Sequence, residues 1–101
     1  MNLKQAVREA WEQYKSLPYN TSQCVAVLWD CQNDTFSTAS YSDYSAYTPG
    51  YDQVLVLPSL RWYDGAKRPE YTLLRDAQAE AENNLEGLKH YIQCLKDLEG
   101  I

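Results

Sequence analysis

Apolar positions along the chain fall into three kinds of pattern. Leu3, Val7, Ala10, Trp11, Tyr14 and Leu17 recur at three- and four-residue spacing, which predicts an amphipathic helix over residues 3–16 with one apolar stripe. Asn2 is placed to cap it, Gln5 would complete a capping box, and Pro18 stops it. Over residues 23–30, QCVAVLWD, the pattern changes. One alternating face carries Val25, Val27 and Trp29 and the other Cys24, Ala26 and Leu28, so neither side is polar and the stretch reads as a central β-strand. Residues 31–34 make a plausible hairpin loop, and residues 35–41, TFSTASY, alternate small polar groups as a wetter antiparallel partner strand would.

Residues 42–51 hold Asp43, Thr48, Pro49 and Gly50 and read as a loop, followed by a third strand, QVLVL, over residues 53–57, ended by Pro58. Residues 58–71 fit either a short extra hairpin at Asp64-Gly65 or a loop. From Pro69 or Thr72 to Leu98 the period is helical again, with Leu74, Ala77, Ala81, Leu85, Leu88, Ile92 and Leu95 along one stripe. About 27 helical residues span ~40 Å whereas a seven-residue strand spans ~23 Å, so this helix must overhang the sheet, bend, or be shared with another molecule. Gly87 marks a place for a bend or a close backbone approach.

This order predicts an α+β fold of one domain over residues 1–101. It is a two-layer sandwich with a mostly antiparallel three- to four-stranded sheet, an N-terminal helix and a long C-terminal helix. With both helices on one side, the second apolar face of the sheet calls for cover by a partner chain or a second copy, hence a possible homodimer.

Charge narrows the partners. The chain has 14 acidic and 9 basic residues, net −5, which disfavours direct nucleic-acid contact and favours a basic protein partner. No window resembles a membrane span or a signal peptide, so a cytoplasmic location is expected. Three cysteines without an export signal fit reduced thiols.

Two groups of residues stand out as candidate contact sites. Tyr41, Tyr44, Tyr47 and Tyr51 punctuate SYSDYSAYTPGY, an alphabet shared with recognition loops; the plainer reading is that the rings cover the wetter face of the sheet from within. Asp76, Glu80, Glu82 and Glu86 lie in a window without a basic residue, and Asp76/Glu80 and Glu82/Glu86 are like-charge i,i+4 pairs that weaken a helix slightly. They read either as a solvated face or as an acidic track that competes for a basic nucleic-acid-binding groove.

Catalytic and metal chemistry have less to stand on. His90 and Cys94, four apart, would share one helix face, but Cys24 and Cys31 lie ~23 Å apart on an extended strand and cannot join one coordination sphere without a sharp turn. Glycine-rich phosphate motifs are absent among the four glycines, so no cofactor or metal is expected. The expectation is therefore a non-enzymatic, acidic, protein-binding inhibitor of a basic nucleic-acid-handling protein. Toxin-immunity proteins and phage anti-defence proteins, anti-CRISPR proteins among them, have this size and charge, an analogy of class and not of residues. The alternative is a small structural or regulatory subunit that oligomerises through its apolar sheet face.

Overall fold

Asn2 opens the first helix as its spacing predicts. In the computed structural model, which describes residues 1–17, 23–42, 48–57 and 74–100, its side chain accepts the Gln5 N–H at 2.8 Å while the Gln5 amide accepts the Asn2 N–H at 3.0 Å. These two bonds satisfy donors that a helix start otherwise leaves unpaired. Helix α1 runs Leu3–Lys15 and buries Ala6, Val7, Ala10, Trp11 and Tyr14.

Strands β1 (Cys24–Asp30), β2 (Thr35–Tyr41) and β3 (Asp52–Leu57) form one antiparallel sheet in the order β2-β1-β3, and helix α2 spans Leu74–Glu99. The fold is α+β with element order α-β-β-β-α, as the periodicities predict. The extra hairpin considered for residues 58–71 and the helix start expected at Pro69 or Thr72 lie outside the described residues.

Both helices pack on the face that carries Val25, Val27 and Trp29, and the core is closed by Val54, Leu55 and Leu57 from β3 with Ala77 and Ala81 from α2. Gln13 of α1 reaches Thr38 of β2 at 3.3 Å, and the Phe36 N–H donates to the Met1 carbonyl at 3.2 Å, fixing α1 against the sheet edge. Cys24, Ala26 and Leu28, on the opposite face, are only 1%, 0% and 4% exposed in the single chain. The middle of that face is thus covered without a second molecule, while Ala39, Tyr41, Gln53 and Val56 around it are half-buried.

Strand β3 departs from simple alternation. Val27 pairs with Leu55 but Leu28 pairs with Gln53, so Val54 is an extra residue, a β-bulge. The bulge turns Val54 and Leu55, neighbours in sequence, into the same core, where regular alternation would send them to opposite faces. It also frees the Val54 carbonyl, and the Asn84 amide of α2 donates to it at 2.8 Å. This bond locks α2 to the sheet.

Within the single chain the long helix overhangs the sheet. The molecule measures 50 × 24 × 23 Å, and beyond Ile92 the helix side chains are exposed. Gly87 makes no close approach among the described residues: a Cβ added there would meet none of them within 4 Å. Its presence still costs the helix about 1 kcal/mol relative to alanine.

Candidate functional site

The four acidic positions of α2 do not line up as one track. At about 100° per residue, Asp76 and Glu80 share one edge of the helix and Glu82 and Glu86 another, about 120° away. Asp76, Glu82 and Glu86 are exposed, whereas Glu80 is half-buried with one carboxylate oxygen shielded from solvent. Arg75 lies beside Asp76 at 3.9 Å with both side chains largely in solvent, a loose pairing of little energetic weight. The helix therefore offers three solvated carboxylates on two edges, held at fixed spacing by the buried stripe and the Asn84 anchor.

Of the tyrosines, Tyr41 and Tyr51 are described, and Tyr44 and Tyr47 lie outside the described residues. Tyr41 ends β2 opposite Cys24, on the sheet face away from the helices, and its hydroxyl shares a 2.6 Å hydrogen bond with Thr48 Oγ1. That bond makes Tyr41 an internal tie between the two ends of the connecting segment. Tyr51 is 45% exposed and follows a tight turn in which its N–H donates to the Thr48 carbonyl, with Pro49 and then Gly50 at φ 87°, the residue order of a type II turn.

Helical spacing does bring His90 and Cys94 together: Sγ lies 3.7 Å from Nε2. Both are exposed, and among the described residues no three His, Cys, Asp or Glu side chains converge as a metal site would require.

One feature was not anticipated from the sequence. The turn after β1 lies over the outer part of α2, leaving an open cleft of about 610 Å³ lined by Trp29, Cys31, Gln32, Lys89, Ile92, Gln93 and Lys96. Asp34, at φ 52°, accepts the Trp29 indole N–H at 3.0 Å, and the Lys89 ammonium sits 5.8 Å from the ring centre of the same indole. Asp30 organises the turn by accepting from the Asn33 amide at 2.7 Å and from the Gln32 and Asn33 N–H groups. The Asn33 side-chain bond, more than the backbone ones, holds the Asp30 carboxyl below its ordinary range. Lys89, Gln93 and Lys96 at helical spacing were the available signal for this cleft, but nothing in the local sequence indicates that the turn folds over them.

No protein-family model, curated protein or solved structure matches this chain. Among the described residues, no helix is long and apolar enough to cross a membrane. Among the described residues the surface carries solvated carboxylates on a rigid helix, an exposed Tyr51 beside a tight turn, a helix end rich in apolar side chains and the cleft over Lys89.

Proposed function

We propose that this protein is a non-enzymatic, protein-binding inhibitor that sets an acidic helix against the basic surface with which a partner handles nucleic acid. The observation that carries the reading is the exposure of Asp76, Glu82 and Glu86 on one helix pinned to the sheet by Asn84. Their like-charge spacing does nothing for the helix itself, and a chain of net charge −5 steers towards clustered Lys and Arg, the groups that bind phosphate. Tyr51 is a second contact in this reading, and Tyr44, Tyr47 and Glu80 are further candidates. The alternative, a subunit assembling through the second sheet face, has less behind it, because the middle of that face is covered within one chain.

The test is capture from a lysate of the source cells on the immobilised full chain, compared with the Asp76→Lys, Glu86→Lys double variant. The change at 76 turns its repulsion with Glu80 into an attraction and the change at 86 does the same with Glu82, while the first loses the favourable first-turn position of Asp76 and the second meets Lys89. These small terms oppose each other, so the variant should melt within a few degrees of the parent. The parent should retain a basic nucleic-acid-binding protein that added duplex DNA or raised salt displaces, and the variant should lose it. Equal capture by both chains would remove the acidic helix from the mechanism.

A further inference from the structure

The outer end of α2 carries a second apolar stripe that the body of the protein leaves uncovered. Tyr91, Cys94, Leu95 and Leu98 stand at i, i+3, i+4 and i+7, roughly a quarter-turn round the helix from the stripe that faces the core. Tyr91 is 61%, Leu95 42% and Leu98 66% exposed. A helix that only had to cover the sheet would stop near Ile92 or turn polar beyond it. Gly87 lies on the same stripe, four residues before Tyr91. Glycine weakens a helix interior, and packing among the described residues gives no reason for it there, since its Cβ position is open to them.

We infer that this stripe pairs with the same stripe of a second copy of the chain, in antiparallel orientation. Charge permits a second copy as the occupant and sets the direction. Residues 88–99 carry Lys89 and Lys96 against Asp97 and Glu99 and balance, whereas residues 74–86 carry Arg75 against Asp76, Glu80, Glu82 and Glu86, a net of −3. Two outer ends can therefore meet without repulsion. An antiparallel register that sets Tyr91 against Leu95 of the other copy, and Leu98 against the outer edge of Leu88, which is half-buried against its own core, makes four apolar layers. It leaves the two Glu80 side chains, the nearest acidic groups on the stripe's side, about 39 Å apart along the axis at 1.5 Å per residue, several times the screening length of about 8 Å at physiological salt. A parallel pair would instead place Asp76 and Glu80, which lie on the stripe's side of the helix, beside their counterparts. In the antiparallel register the two Cys94 thiols face each other across the dyad, and Gly87 leaves room for the last turn of the other helix. The contact is small beside the roughly 1,200 Å² or more of a standard interface, so the dimer is a weak one that concentration controls.

The experiment is sedimentation velocity of the full chain from low micromolar to near-millimolar concentration, paired with disulfide trapping. The parent should pass from monomer to dimer across this range. The Leu95→Gln, Leu98→Gln variant should stay monomeric, with its melting at the lowest concentration unchanged, because both side chains are exposed in the monomer. Under mild oxidation, Cys31→Ser chains should cross-link through Cys94. Chains with Cys31→Ser, Cys94→Ser and Asn83→Cys should not, since positions 83 would lie about 30 Å apart in the antiparallel pair. A parent that stays monomeric throughout, a dimer that survives the double glutamine change, or cross-linking at position 83 as ready as at Cys94 would each overturn the proposal. Trapping at Cys94 decides the matter even if the glutamine variant fails to fold. Capture of a basic protein by dilute parent chain is read separately, so the inhibitor reading stands or falls independently of this one.

Discussion

Replacing Asn84 by alanine isolates the bond that joins α2 to the bulge. The Asn84 amide is the donor to the Val54 carbonyl at 2.8 Å, at a part-buried site. Its loss leaves that carbonyl unsatisfied, at a cost of roughly 1–3 kcal/mol. Alanine returns up to about 0.7 kcal/mol because it is the better helix former, so the net loss is about 1–2 kcal/mol. Asn83, the adjacent exposed residue, supplies the control. Asn83→Ala gains the propensity term alone and should be neutral or slightly stabilising. In a domain of this size, thermal melts followed by circular dichroism should place Asn84→Ala roughly 5–10 °C below the parent, and Asn83→Ala at or just above it. Asn84→Asp adds a pH signature. An ionised carboxylate cannot donate and repels the carbonyl, whereas the protonated acid can donate, so folding raises the pKa of the new group. The stability of this variant relative to the parent should then recover as pH falls through the raised value. Equal shifts for the two alanine variants, or an aspartate penalty that ignores pH, would refute the anchoring role.

Two further outcomes are expected. The Asp30 carboxyl is held below its ordinary range chiefly by the Asn33 amide, so its contribution is present above the unfolded carboxylate pKa and lost as pH falls through the lower folded value; urea melts of the parent and Asn33→Ala should differ at neutral pH and converge in strong acid, and parallel curves would dismiss the linkage. Tyr41→Phe removes the hydroxyl bond to Thr48 and should cost roughly 0.5–1.5 kcal/mol while leaving partner capture intact, whereas unchanged stability with weakened capture would make Tyr41 a contact residue.

Where a feature depends on spacing along one element, the sequence was sufficient. The Asn2 and Gln5 capping box, the stripe of α1 and the proximity of His90 and Cys94 all follow from about 3.6 residues per turn. The same arithmetic separates Asp76 and Glu80 from Glu82 and Glu86, so the single acidic track was never supported by the spacing. Features set by pairing between elements were not legible. Residues 53–57 look like an ordinary strand, with no glycine to mark the bulge, and only the register against β1 and the Asn84 amide reveal it. The two-sided apolarity of β1 correctly indicated burial on both faces. It carried no information about whether that cover comes from the same chain, because hydrophobicity records exclusion of water and not what excludes it.

Placing β1 in the middle of the sheet also bears on proteostasis. Cys24–Trp29, CVAVLW, is uncharged, free of proline and rich in β-branched and aromatic residues, the composition of segments that self-assemble into cross-β fibrils. In the folded chain both its edges are occupied, one by a serine- and threonine-rich strand and the other by a strand that opens with Asp52 and Gln53 and carries a bulge. Polar composition and local irregularity are how natural sheets discourage edge-to-edge growth. Asp30 closes the segment as a charged gatekeeper, and its carboxyl is itself engaged in the turn. The aggregation hazard thus belongs to newly made or unfolded chains, where the segment is open, and the time spent unfolded governs losses more than the concentration of native protein.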